Sequence, residues 1–426
     1  MIIHPLSRLI VCIFVTIFGV GLVNRCAPLE APPQTLPLEN AVGGAGTLGE
    51  RASSADRIAA DPNVKVAFIG DSDDGDDFGR VIQLIQEEGV DLVLHQGDFS
   101  YANGPTDEWL AAVGQLDSAI PYLGADGNHD HWNRYVSFFE TQAQKPGVAL
   151  TAGSIVDGSY AVTYKGLHIL FNHEGGDVPF NQQVLTDSPH IWKLCTWHHN
   201  RRDFQPGSKG DEVTLENYQA CINGGALIAT GHEHSYSRSY SLRDLSAAQH
   251  GAYGQPDVME LTPGNPGSSF FFVSGLGGRS LRDYSARLHD GDGWWATIFT
   301  EDRYCRQTCT ASDFSAQDQS QDISSYAFTF GALFIDFGVD DDPTKGRGYF
   351  KTVDGNIVDE FTIVVKPNQL AKSQKSKPTP SCSNFVAARR AFFVLSLYHT
   401  HNGQQHNGAD GAGNQRVGHI PHVEHI

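Results

Sequence analysis

Three features of the sequence predict an α/β fold. Short apolar runs alternate with stretches of helical periodicity from residue 64 to residue 230, the order in which helices cover a largely parallel sheet. Several of these runs stop abruptly in polar sequence, as strands do where they hand the chain to loops at one sheet edge. Beyond residue 269 the chain becomes richer in strands, which gives the α/β pattern an α+β end.

In order, residues 64–70 form a buried apolar run of strand length, and 78–88 carry Val81, Leu84 and Ile85 at helical spacing. Residues 91–95 repeat the strand signal and 106–116 the helical one. Two more strands are expected at 191–196 and 226–230, then four at 270–274, 326–337, 348–352 and 357–365. The folded body accordingly spans residues 61–366.

Ahead of it, residues 1–26 read as a signal peptide. Arg8 precedes an apolar run over 9–23, shorter than the about 20 residues a bilayer span needs. An uncleaved anchor is the competing reading. Cys26 follows Asn24-Arg25, not the small residues that lipoprotein processing wants. A secreted or periplasmic protein is expected, with no stable membrane span after signal cleavage. Residues 27–60 are a linker marked by Pro28, Pro32, Pro33, Pro37 and a glycine-rich stretch. Residues 367–426 are low in complexity and hold six histidines from His399 onward; a disordered tail is expected, although histidine tracts also bind metal.

The 426 residues are 40% hydrophobic and 19% charged, enough for a sizeable core. Thirty Lys and Arg against 49 Asp and Glu leave a formal charge of −19. No nucleic-acid partner is expected, because backbone phosphates demand a basic surface. Any phosphate bound here needs a local positive centre, which a metal cluster supplies. Of seven cysteines, Cys195 with Cys221 and Cys305 with Cys309 are candidate pairs in an exported chain, with connectivity left open. No Cys-x-x-Cys occurs, so a thiolate zinc site is not expected.

Four apolar runs end in residues of metal-ligand type. The first meets Asp71, the second Gly97-Asp98-Phe99-Ser100-Tyr101, the third His198-His199-Asn200, and the fourth Gly231-His232-Glu233-His234. A fifth cluster, Gly127-Asn128-His129-Asp130, follows the short run 120–124 after a two-residue gap. Singly, strand-end Asp and His also cap helices or fill turns, and Gly-His-x-His alone is a weak signal. Together they place carboxylate, imidazole, amide and phenol at strand ends, a mixed oxygen and nitrogen set suited to Zn, Fe or Mn. Other constellations fail. The acidic stretch 71–77 has its Gly one place early for an EF-hand and lacks the bidentate Glu. Asn172-His173-Glu174 lacks a preceding Gly and reads as a strand end, and no Gly-x-Ser-x-Gly elbow occurs.

These clusters, in this order and approximate spacing over residues 64–240, resemble the purple acid phosphatase-like branch of the metallophosphoesterases (the calcineurin-like phosphoesterase superfamily). Tyr101 selects the branch. The segment from Gly331 to Phe361 also looks like that family's last strands. The resemblance implies a four-layer α/β/β/α sandwich with two mixed sheets, and two metal ions. One ion would take Asp71, Tyr101, His234 and the shared Asp98; the other would take Asp98, Asn128, His198 and His232. Iron is implied at the Tyr101 position, with Zn, Mn or Fe as the second ion. Asp73 stands where this branch usually has Gly and the wider superfamily a ligand His. It either adds a carboxylate to the first ion or points to solvent within the acidic turn, and the second reading is preferred.

The expected chemistry is hydrolysis of a small phosphate monoester, with two ions clamping the phosphoryl group and acidifying a water. His129, beside Asn128, is the candidate general acid, against the alternative that it braces the loop. His199 and Arg201 are weaker candidates for substrate binding. The rival readings are a phosphodiesterase or nucleotide hydrolase on the same site, and a catalytically silent exported protein that keeps its metals.

Overall fold

The computed structural model describes residues 57–367, apart from 187, 308 and 311–328. The expected signal peptide, nearly all of the linker and nearly all of the tail lie outside the described residues. The first half contains β1 (Val64–Ile69), α1 (Asp76–Glu88), β2 (Leu92–His95), α2 (Asp107–Val113), β3 (Tyr122–Gly124) and α3 (Trp132–Ala143). It continues through β4 (Val148–Gly153), β5 (Tyr160–Tyr164), β6 (Leu167–Phe171), α4 (Val178–Thr186) and β7 (Trp192–Thr196). Then come α5 (Leu215–Gly224), β8 (Leu227–Thr230), β9 (Tyr236–Ser239), β10 (Val258–Leu261) and β11 (Phe271–Ser274). The chain closes with β12 (Trp295–Phe299), β13 (Tyr304–Arg306), β14 (Gly331–Phe337), β15 (Lys345–Thr352) and β16 (Ile357–Val365).

Local sequence explains the helices that flank the site. The apolar face of α1 buries Phe78, Val81, Ile82, Leu84 and Ile85, and Gly89 ends it in the left-handed conformation at φ 64°. Thr106 caps α2 by accepting the Trp109 N–H at 3.1 Å.

The strands form two mixed sheets, ordered β10-β16-β15-β14-β1-β2-β3 and β13-β12-β9-β11-β8-β7-β6-β5-β4. Parallel pairing joins β1, β2 and β3 in one sheet, and β6, β7, β8 and β11 in the other. The sheets pack face to face through aromatic contacts. Phe68 of β1 meets Phe272 of β11 edge-on at 5.1 Å, and Tyr236 of β9 stacks on Phe350 of β15 at 4.2 Å. With α1 and α2 outside one sheet and α4 and α5 outside the other, this is the expected four-layer sandwich.

One polar device crosses the layers. Asp359 of β16 accepts from Arg238 Nε of β9 at 2.6 Å, from Arg238 Nη2 at 2.9 Å and from the Tyr236 hydroxyl at 2.7 Å. Both charged groups are fully buried, so each depends on the other for compensation. The two candidate disulfides are formed: Cys195–Cys221 ties β7 to α5, and Cys305–Cys309 closes a short loop after β13.

The strand expected at 326–337 begins only at Gly331, with 326–328 outside the described residues. The strand expected at 348–352 begins earlier, at Lys345. There Gly346 is buried while Arg347 points outward to pair with Glu360, so the strand's polar face hides its first half from a search for apolar runs.

Candidate metal centre

Five strand ends deliver the expected clusters to one edge of the sandwich. Asp71 follows β1, Asp98 follows β2, Asn128 follows β3, His198 follows β7, and His232 and His234 follow β8. Asp71, Asp98, Tyr101 and His232 all have positive φ, between 53° and 67°. That conformation is costly for residues with side chains and is held by surrounding structure at functional sites. Glycine is required beside them. A Cβ at Gly97, φ 85°, would stand 2.7 Å from Gly127 N and 2.8 Å from His198 Nδ1; one at Gly127 would stand 2.2 Å from Asp98 Oδ1.

The donors gather in two groups. In the first, the Tyr101 hydroxyl lies 3.2 Å from Asp71 Oδ1 and 3.0 Å from His234 Nε2, and the last two atoms are 3.3 Å apart. In the second, His198 Nε2 lies 3.2 Å from Asn128 Oδ1, 3.1 Å from His232 Nδ1 and 3.4 Å from Asp98 Oδ2. Ligands held about 2.0–2.2 Å from one ion stand roughly 3 Å from each other, so both groups fit a metal ion. Asp98 stands between them, since its carboxylate lies within 4.8 Å of ligand atoms of both Asp71 in the first group and His198 in the second.

Groups behind the donors aim them. His198 Nδ1 faces the Gln96 carbonyl at 2.7 Å, and His234 Nδ1 faces the Ser280 hydroxyl at 2.6 Å. In both rings Nε2 is therefore left for the centre. Asp71 Oδ2 accepts the His232 N–H at 2.8 Å. Asp130 accepts the backbone N–H groups of Asp98, Phe99 and Gly127 and so locks two of the clusters together.

The electrostatics describe a network that shares protons a cation would displace. Burial alone would raise Asp98, but the charge and hydrogen bond of His198, with the His129 N–H, hold it well below the usual carboxylate range. Burial opposes the charged form of His198, yet Asp98 outweighs it and pushes that imidazole up to about 9. Burial, then Asp71 and Asp98, push the Tyr101 phenol up.

The remaining expected residues separate. His129 is exposed, donates its N–H to Asp98 Oδ1 at 2.9 Å and packs its ring 4.8 Å from that of Tyr101, which puts it at the mouth. The His199 ring lies 4.7 Å from that of His232; burial, then the charge of His198, push it down to about 4. Arg201 is tied to Asp211 at 3.7 Å and Asp203 at 3.9 Å, so its charge is already met. Asp73 lies in the acidic turn with its carboxylate partly exposed and paired with Arg279.

Three further groups were not assigned to the centre by the sequence. Glu212 Oε2 stands 2.7 Å from His232 Nε2, close but not aligned as a hydrogen bond. Buried Asp126 holds His173 Nδ1 at 2.7 Å, while the Glu174 carbonyl accepts the N–H groups of His198 and His199, so 172–174 borders the centre. Lys209 is half-buried on the connection between β7 and α5, and burial, then the charge of Arg282, push its ammonium down.

Comparison with known proteins agrees with this geometry. Residues 64–236, which carry all the clusters, match the family model for calcineurin-like phosphoesterases. "Probable inactive purple acid phosphatase 1" of Arabidopsis thaliana is 32% identical over 144 residues, 32% of this chain and 22% of its own length. The chain thus spans about a fifth of that relative. A "Nucleotide pyrophosphatase/phosphodiesterase" of Hordeum vulgare is 22% identical over 317 residues, 66% of this chain and 74% of its own. The solved purple acid phosphatase PPD1 from yellow lupin (Lupinus luteus) seeds shares the fold at a TM-score of 0.50 and 18% identity, covering 76% of this chain and 59% of that one. The stretch that carries the clusters thus resembles the calcineurin-like phosphoesterases, and the sandwich that presents them shares the fold of that purple acid phosphatase.

Proposed function

We propose that this chain is an exported hydrolase of small phosphate monoesters, with the two donor groups that meet at Asp98 as its working centre. That shared carboxylate carries the reading, because a residue common to two donor groups would let two ions act together in displacement at phosphorus. Ions bound there supply Lewis acidity and a water acidified toward neutrality. Tyr101, Asp71 and His234 would hold the first, which the phenol suits to iron; Asn128, His198 and His232 would hold the second, as Zn, Mn or Fe.

The chain's own residues do the rest. The Gln96 carbonyl keeps His198 in the metal-ready tautomer, and the Ser280 hydroxyl engages Nδ1 of His234, leaving Nε2 toward the centre. His129 at the mouth would pass a proton to a leaving alcohol. Lys209 brings positive charge toward His199 and His232, which favours the more highly charged monoester over a diester. Two disulfides support export, and no helix among the described residues is long and apolar enough to cross a membrane.

A second reading, phosphodiester or pyrophosphate hydrolysis, is favoured by the name of the barley relative. The "inactive" in the name of the Arabidopsis relative motivates the silent alternative. Hydrolysis of a chromogenic monoester and the matching diester by the metal-loaded chain, beside Asp98→Asn, separates them. Monoester turnover that Asp98→Asn abolishes is expected. Turnover of the diester alone moves the assignment to the second reading, and a folded, metal-loaded but inert parent leaves the silent protein.

A further inference from the structure

Asp73 and Arg279 lie far apart in the chain, yet both sit against the first donor group. Asp73 occupies the turn after β1 at φ 62° and pairs with the Arg279 guanidinium. The Arg279 N–H donates to the Asp71 carbonyl at 3.0 Å, which fixes its backbone beside a donor residue. From there the guanidinium carbon reaches 4.4 Å from the centroid of the Tyr101 ring. Tyr101 is itself in a left-handed backbone conformation, φ 53°, so its aim depends on what packs against the ring.

We infer that Arg279, anchored by Asp73, is a positioning residue for Tyr101: it keeps the phenol oxygen turned toward Asp71 and His234 and holds a positive charge over the ring. The inference rests on the proposed reading of Tyr101 as a metal donor. A cation over an aromatic face stabilises the ring's π electrons. Those electrons, in a phenol oxygen bound to ferric iron, are then harder to promote to the metal. The visible absorption of the iron-loaded protein therefore lies at shorter wavelength with Arg279 than without it. Loss of the brace also frees the ring to swing, which weakens its hold on the ion as loss of other supporting groups does.

The test uses the full chain loaded with ferric iron, compared with Arg279→Ala, Arg279→Lys and Asp73→Gly. Glycine is comfortable at the φ of Asp73, so the last variant removes the anchor without straining the turn. In Arg279→Ala the visible band moves to longer wavelength and a chelator strips iron about tenfold faster. Asp73→Gly moves both in the same direction by less, and Arg279→Lys restores most of the parent behaviour. Variants whose band and iron release match the parent overturn the inference. A parent that takes up iron with no visible band overturns it too, by removing Tyr101 from the metal; monoester turnover by that colourless protein would still uphold the hydrolase reading.

Discussion

Glu212 places a carboxylate oxygen 2.7 Å from His232 Nε2, on the side of the ring away from the His198 nitrogen that Nδ1 faces at 3.1 Å. Imidazoles that bind metal through one nitrogen commonly rest the other on a carboxylate, which sets ring orientation and donor strength. Glu212→Ala is expected to weaken the second ion by roughly 10- to 100-fold while sparing the first. Metal analysis after dialysis against graded chelator reads this directly, and equal loss of both ions counts against it.

His129 is exposed at the mouth, with its backbone N–H bonded to Asp98 and its ring beside that of Tyr101. Removing the side chain leaves the loop's backbone anchor intact. His129→Ala should lower kcat by roughly 10²- to 10⁴-fold with both ions retained. Unchanged turnover in the metal-loaded variant would reduce this histidine to a bystander.

The Asp126–His173 pair has a pH signature. The hydrogen bond to Asp126 raises His173 above its ordinary value, against the opposing effect of burial. A histidine raised on folding contributes stability that is fully present below the unfolded value, about 6.5, and lost as pH climbs through the folded one. His173→Gln should therefore destabilise the chain at about pH 5.5 and leave it nearly unchanged at about pH 9. Since the side chain is 53% exposed, the effect stays below about 1 kcal/mol. Thermal melts at both values check the sign.

Asp359→Ala strands the Arg238 guanidinium between the sheets without its carboxylate. Breaking a buried pair from one side costs about 3–5 kcal/mol, far more than any surface ion pair here. Chemical denaturation should show that loss. A change below about 1 kcal/mol would mean that water reaches the pair.

The strand-end clusters were legible because their chemistry is local. Each is a glycine or apolar run followed by ligand-type residues, and the α/β pattern puts such ends on one edge. Tyr236-Ser237-Arg238-Ser239 of β9 was not legible, since its arginine is buried only through a partner 121 residues away. Strand β4 is an edge strand with mostly exposed or half-buried residues, so it lacks the apolar run that marks a central strand. Glu212 and Arg279 belong to loops, and their places at the centre follow from which strand ends those loops bridge. The partner of Asp73 was hidden for the same reason: within its acidic turn nothing signals a guanidinium 206 residues further on.

Asp71, Asp98 and Asn128 hang from strands of one sheet, whereas His198, His232 and His234 hang from strands of the other. Ions gripped by both sets would act as rivets driven through the sandwich. Unfolding would then have to strip the ions as well as part the layers, so resistance to heat and proteases should rise and fall with metal supply.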